Sequence, residues 1–228
     1  MTLLLSLETS TTNCSAALHE DGRLLAASEL HIAQSTASQL AIMIDHLFAT
    51  TGKKKAELSV VVVSAGPGSY TGLRIGVATG KGICYALNIP LIAVNTLELL
   101  AYQVKRAGVS IDGLLCPMLD ARRMEVYCLL ADANLEVKEL TQAKIIDETS
   151  FVEELTAGPV LFFGDGADKC KAAIRHGNAS FLDGVIPSAT ALGELGYERW
   201  NVGAFEDLAT YEPFYLKDFV IKKPNPVS

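Results

Sequence analysis

The stretch Ser64-Ala65-Gly66-Pro67-Gly68-Ser69-Tyr70-Thr71-Gly72-Leu73-Arg74-Ile75-Gly76, running on to Lys81 and Gly82, decides how this chain is read. It follows the β-branched run Val60-Val61-Val62-Val63 and leads into a helix with glycines at 72, 76 and 80. A glycine inside a helix costs about 1 kcal/mol relative to alanine, because it has the most backbone freedom to lose. Three of them, four residues apart, need a compensating benefit. Two are physically available: a loop whose backbone N–H groups face a ligand, or a helix that a neighbour approaches closely.

Read as a loop, Gly66, Gly68, Ser69, Thr71 and Gly72 could gather N–H groups around an anion at the positive end of the helix. The same residues fit a structural tight turn equally well. The string is not a Walker A loop. Its nearest approach, Gly76 to Gly80-Lys81-Gly82, is one residue short and has glycine where a Mg²⁺-binding hydroxyl belongs. Read as a helix, residues 71–87 place Leu73, Val77, Cys84 and Leu87 on one face and Ile75, Thr79, Gly82, Ile83 and Ala86 on another. Only Arg74, Lys81 and Tyr85 mark a polar edge. A helix apolar nearly all round is covered on both sides. A sheet covers one. The other needs the chain's own first helix or a second protein, and small residues let that neighbour come close.

Outward from this stretch, strands are expected at 3–8, 13–19 and 23–29, with Asp21-Gly22 as a tight hairpin turn. A helix follows at 35–50, where Leu40, Met43, Ile44, Leu47 and Phe48 recur at helical period and Gly52 stops it. Strands at 57–64 and 89–94 and a helix at 96–104 complete the set. A second set begins at residue 114. Leu114-Leu115-Cys116-Pro117-Met118-Leu119-Asp120 repeats the apolar strand ending in an acid that Leu3-Leu4-Leu5-Ser6-Leu7-Glu8 displays. Each is followed by a second strand, a turn (Asp21-Gly22; Ala133-Asn134) and a third strand. A repeat of more than a hundred residues suggests two duplicated lobes, divided here as 1–107 and 108–228. The second lobe adds a strand at 159–163 closed by Gly164-Asp165-Gly166, helices at 165–174 and 189–200, an extended segment at 211–217, and a tail containing Pro224 and Pro226.

Composition narrows the function. Half of the 228 residues are hydrophobic and the net charge is −7, which does not suit a stand-alone nucleic-acid binder. Five cysteines show no CxxC spacing and read as buried thiols of a reducing compartment. No apolar run is long enough to span a bilayer, and the cytosol is the expected location. The four histidines form no HxxxH or HExxH, so neither a zinc nor an iron site is expected. No serine nucleophile motif is present. Glu8 and Asp120 could act as paired acids or as solvated strand ends. Asp120-Ala121-Arg122-Arg123-Met124-Glu125 is a charge-dense turn, read as solvated ahead of phosphate-binding. No catalytic residue is assigned.

The string from Ser64 to Gly82, with Asn88-Ile89-Pro90-Leu91-Ile92-Ala93-Val94-Asn95-Thr96-Leu97-Glu98, closely resembles the TsaB family. Asp120 to Tyr127, Gly164-Asp165-Gly166 and Pro213-Phe214-Tyr215-Leu216-Lys217 extend the resemblance over nearly the whole chain. It implies an α/β, actin/Hsp70-like fold of two ribonuclease-H-like lobes with mixed sheets. It also implies a subunit of the machinery that forms threonylcarbamoyladenosine in tRNA, pairing with and activating a TsaD-like transferase. TsaD-like proteins carry HxxxH on the first helix, and here that helix begins Gln34-Ser35-Thr36-Ala37-Ser38. The chain therefore resembles the non-catalytic sibling, with no metal and no cofactor of its own beyond weak nucleotide binding at the lobe cleft or complex interface. The family's pairing helices correspond to 35–50 and 71–87, so Leu40, Met43, Ile44, Leu47, Arg74, Ile75, Thr79, Gly82, Ile83 and Ala86 are the expected interface. Either Gly76→Leu or Gly82→Leu is expected to block pairing and leave a soluble monomer. Further implied partners are a TsaE-like ATPase, a second copy when alone, and tRNA through the complex; no membrane is involved. The chain departs from the family at Glu8-Thr9, where Asp-Thr is usual, and at Thr36-Ala37-Ser38. Rival readings are an ATP-dependent small-molecule kinase of the same fold and an M22-type metallopeptidase.

Overall fold

The computed structural model describes residues 1–32, 36–109 and 112–216. The start of the first helix at 35, the side chains of Thr36 and Ala37, junction residues 110 and 111, and the tail from 217 lie outside the described residues.

The first half builds one mixed sheet from β1 (Leu3–Glu8), β2 (Cys14–Glu20), β3 (Arg23–Leu30), β4 (Leu58–Gly66) and β5 (Leu91–Asn95), in the order β3-β2-β1-β4-β5. β1 pairs antiparallel with β2 and parallel with β4. Helix α1 (Thr36–Thr51) follows β3, α2 (Tyr70–Leu87) follows β4, and α3 (Thr96–Arg106) follows β5. The second half repeats the plan. β6 (Leu114–Asp120), β7 (Glu125–Asp132), β8 (Val137–Ile145), β9 (Val160–Phe163) and β10 (Ala179–Leu182) take the order β10-β9-β6-β7-β8. Read from its other edge, this is the same order with the same senses, β6 pairing antiparallel with β7 and parallel with β9. The fold is a duplicated ribonuclease-H-like sheet, the actin/Hsp70-like architecture.

Strand periodicity sorts the core. Leu3, Leu5, Leu7, Val61 and Val63 face one way and pack with Leu40, Met43, Ile44 and Leu47 of α1 and Val77 and Cys84 of α2. Leu4, Val60 and Val62 face the other way and pack with Ala191 and Leu192 of α5 (Ala189–Asn201). Successive side chains of a strand alternate between faces, so a strand covered on both sides reads as the continuous valine run seen at 60–63. α5 lies very close: a Cβ at Gly196 would stand 2.5 Å from a Val62 methyl, and one at Gly193 2.1 Å from the His19 ring. Ser6 Oγ donates to Ala189 O at 2.7 Å, and Ser15 Oγ accepts from Ala189 N–H at 2.9 Å.

All strands of the first sheet precede residue 107, and all strands of the second follow it. The helices cross that line. α3 buries Leu97, Leu100 and Val104 with Leu115, Leu129 and Phe163 of the second sheet. α5, late in sequence, covers the first.

Three elements differ from expectation. The expected helix at 165–174 is a chain of tight turns holding one short 3-10 segment, Asp168–Cys170. Several of its N–H groups reach back three residues, as from Ala167 to Gly164 O and from Cys170 to Ala167 O, and that of Ile174 reaches back four, to Cys170 O. Ala167, Cys170 and Ile174 are buried in the second core. Their spacing of three and then four is the one that reads as helical in the sequence. The short α4 (Val152–Ala157) and β10 had no sequence signal.

Candidate partner-docking surface

The site is built on α2. Ser69 caps its start, its Oγ accepting from Gly72 N–H at 3.2 Å. Asn88 ends it in the left-handed conformation (φ 53°), with its N–H on Cys84 O. Both are the residues the caps call for.

The three spaced glycines face inward, against the chain itself. A Cβ at Gly72 would meet Thr9 O at 2.1 Å, at Gly76 Thr9 Oγ1 at 2.2 Å, and at Gly80 a Val63 methyl at 2.8 Å. The close neighbours are the β1–β2 loop, at Gly72 and Gly76, and β4, at Gly80, so Gly76→Leu strikes the fold of the subunit itself. The glycine loop faces the same neighbour. A Cβ at Gly68 would stand 2.2 Å from Ser10 O, and the Ser69 N–H donates to Ser10 O at 2.6 Å. Two N–H groups that an anion would use, at 69 and 72, are therefore bonded within the chain, and Thr71 is exposed. This geometry is that of a structural tight turn.

Gly82 is the glycine that looks out: a Cβ there meets nothing within 4 Å. With Thr71, Arg74, Ala78, Tyr85 and Ala86 it forms the exposed side of α2. Tyr85 is 84% exposed, and Ile42 on α1 is 60% exposed. Between the two helices runs an apolar groove of about 300 Å³, lined among others by Ala41, Ile44, Phe48, Thr79, Ile83 and Ala86. Four of the expected interface residues, Ile44, Thr79, Ile83 and Ala86, line it. Arg74 is exposed and Ile75 half-buried. Leu40, Met43 and Leu47 are at most 5% exposed and belong to the subunit's own core. The α1 stripe that sequence reading assigned to a partner is the stripe that holds α1 to its own sheet. The outward residues Ile42 and Tyr85 were missed because they stand alone in the pattern.

The start of α2 is extended by the chain's C-terminal segment. Phe214 N–H donates to Ala65 O at 2.7 Å and Lys81 Nζ to Tyr211 O at 2.8 Å. The Tyr215 ring lies 4.9 Å from Tyr70, over which the Arg74 guanidinium sits at 4.6 Å. An aromatic and cationic patch thus flanks the apolar groove along one helix.

The chain is 32% identical to the tRNA threonylcarbamoyladenosine biosynthesis protein TsaB of Escherichia coli, over 98% of both chains. It is 30% identical to that of Bacillus subtilis, over 86% of this chain and 87% of the other. The chain belongs to the TsaB family. The family model that matches, described as TsaD, tRNA N6-adenosine threonylcarbamoyltransferase, covers residues 30–190. Among solved structures, a Pseudomonas aeruginosa protein described as similar to the peptidase YeaZ superposes with a TM-score of 0.83 at 26% identity, covering 95% of this chain and 100% of that one.

In this TsaB-family chain the two strand-end acids stand in different surroundings. Glu8 is 1% exposed. Its Oε1 accepts from Ser10 N–H at 2.6 Å. Burial pushes its carboxyl above the usual range, against hydrogen bonds from Ser10 and Ser64. Asp120 is exposed and ion-paired with Lys169. Burial raises its carboxyl, but Lys169 and the Arg122 N–H outweigh that and hold it below the usual range. Each acid thus has its own partners: Glu8 is held by Ser10, and Asp120 by Lys169 and the Arg122 N–H. Among the described residues no three His, Cys, Asp or Glu side chains converge as a metal site. All five cysteines are buried thiols. Burial pushes Cys84 and Cys170 up to about 11, which suits core packing and not nucleophilic attack. Among the described residues no helix is long and apolar enough to cross a membrane.

Proposed function

We propose that this chain is the docking subunit in the formation of threonylcarbamoyladenosine in tRNA, and that it binds and activates a TsaD-like transferase without performing chemistry itself. The observation that carries this reading is the apolar groove between α1 and α2, on two helices that also leave Ile42 and Tyr85 exposed. A partner helix laid into such a groove removes large apolar side chains from water, the term that dominates most association. Aromatic residues are among those where interface energy concentrates, and Tyr85 of α2 is 84% exposed. The names of the relatives support the pathway. The buried thiols, pushed up by burial, support a subunit whose role is to be bound. Without the transferase, the same face pairs two copies. A TsaE-like ATPase joins the assembly in the cytoplasm, tRNA is held mainly by the other subunits, and any nucleotide binds weakly at the lobe cleft or the complex interface.

Gly82→Leu tests the assignment, because its side chain enters open space in the free subunit. The variant should fold with an unchanged melting temperature and bind the transferase at least tenfold more weakly by titration calorimetry. Wild-type affinity in a folded Gly82→Leu variant would sink the docking face.

A further inference from the structure

We infer that the hairpin tip at Arg122 and Arg123 is a contact for the phosphate backbone of an RNA strand. The tip joins β6 to β7. It is closed by Ala121 N–H on Glu125 O at 3.1 Å and Glu125 N–H on Arg122 O at 3.2 Å. Arg122 and Arg123 both lie in the left-handed region, at φ 72° and 51°. Residues with a Cβ visit this region rarely, and Asn, Asp and Gly do so at least cost. The same molecule follows that rule between β2 and β3, where two consecutive left-handed positions, at φ 49° and 79°, are filled by Asp21 and Gly22. Single larger residues enter the region at Leu135 and Phe151, with φ 70° and 63°, but among the described residues 122 and 123 are the consecutive pair with no glycine in it, and both are arginines. Strain that a single common substitution would remove, and that persists, points to a use for the side chains.

The surroundings indicate that use. Both arginines are exposed, and neither guanidinium has an ion pair among the described residues. The acids beneath the tip are already engaged. Asp120 Oδ1 accepts from Arg122 N–H at 2.9 Å and pairs with Lys169. Asp165 Oδ1 accepts from Asp120 N–H at 3.0 Å. Lys169 Nζ also bonds Glu125 O at 2.6 Å, which fixes a third cation at the base of the hairpin. Guanidinium forks match phosphate oxygens two at a time. A free phosphate or mononucleotide is held by converging N–H donors in a concavity, which a protruding tip does not supply. A tip with two adjacent forks suits an extended polyanion that passes over it. With a net charge of −7 the rest of the chain repels RNA, so the contact is local and adds to whatever binds RNA elsewhere. The choice of RNA as the polyanion rests on the tRNA-modification reading above; the docking face is not used.

The test is fluorescence anisotropy of the full chain with a labelled tRNA transcript at about 50 mM salt, repeated up the salt series. The wild type, R122N/R123N and R122K/R123K are compared. Asn accepts the left-handed backbone, so R122N/R123N should melt at or above the wild-type temperature. It should bind RNA at least fivefold more weakly and show a salt slope smaller by about 1 to 2. R122K/R123K should keep the wild-type slope. The Gly82→Leu variant should bind RNA as wild type does, which separates failure here from failure of the docking face. The inference is overturned if the wild type shows no saturable RNA binding, or if R122N/R123N keeps wild-type affinity and slope. It is also overturned if R122N/R123N melts lower, since the arginines would then be structural, or if ADP displaces the RNA, since the tip would then be a nucleotide site.

Discussion

The two halves share one strand order and differ in what is laid on one face of it. In the first, the connections after β3 and β4 are helices of 16 and 18 residues. In the second, the equivalent connections hold α4, of 6 residues, and a 3-10 segment of 3. The glycine turns at the strand ends are nevertheless built alike. Gly68 and Gly72 press on the backbone of Ser10 and Thr9, and Gly164 and Gly166 press on that of Met118 and Leu119. A Cβ at Gly164 would stand 2.2 Å from Met118 O. The close approach of strand-end loop to glycine turn is thus a property of the duplicated sheet and carries no function by itself. What one half has and the other lacks is a long two-helix layer with an outer side, and that layer holds the groove.

The largest test of this contrast is Gly76→Leu. If the inward glycines serve the fold, forcing a side chain against Thr9 costs about 3 kcal/mol, read as a fall in the urea midpoint of the isolated chain. Gly166→Leu should cost about as much, because its Cβ would meet Leu119 C at 2.7 Å. A stable Gly76→Leu monomer would break the comparison.

Acid is the next lever, and it should act through the first sheet. His19 on β2 is fully buried, and burial pushes it down to about 4. A depressed histidine contributes stability that is full above its unfolded value near 6.5 and is lost as pH falls through the folded value. Between pH 7 and pH 5 the wild type should therefore lose about 2 kcal/mol more unfolding free energy than His19→Phe, a difference in which the contributions the two chains share cancel. Glu8, raised by burial, works with the opposite sign: its contribution is full below 4.5 and fades as pH rises through its raised value.

Lys169→Met should cost under about 1 kcal/mol, since its partner Asp120 is half exposed and water screens the pair; a thermal melt measures it. Tyr85→Ala should change stability by no more than about 0.5 kcal/mol while weakening partner binding at least tenfold, which sharpens the difference between a residue that folds the first half and one that serves its outer side.

Much of this was legible in the chain itself. The hairpin at Asp21-Gly22 was visible because few residues accept two left-handed positions, and α1, α2, α3 and α5 because their apolar spacing is helical. The duplication showed in the two strand-turn-strand strings. The interface was legible only in part, for a physical reason. A stripe such as Leu40, Met43 and Leu47 states that something covers it but not what. The partner of Gly76 is Thr9, dozens of residues away, and only folding brings them together. The segment at 165–174 has helix-forming residues, yet the two glycine contacts with Met118 and Leu119 set its path and the core draws it into tight turns.

The late return of α5 to the first sheet has a consequence for synthesis. While the chain is being made, Val60, Val62, Ile92 and Val94 have only part of their lid, Leu99 and Tyr102 of α3, until Ala191, Leu192 and Trp200 of α5 have left the ribosome. The first sheet therefore leaves the tunnel with one greasy side half covered, and a ribosome stalled before α5 releases a fragment prone to clump rather than a half-size subunit.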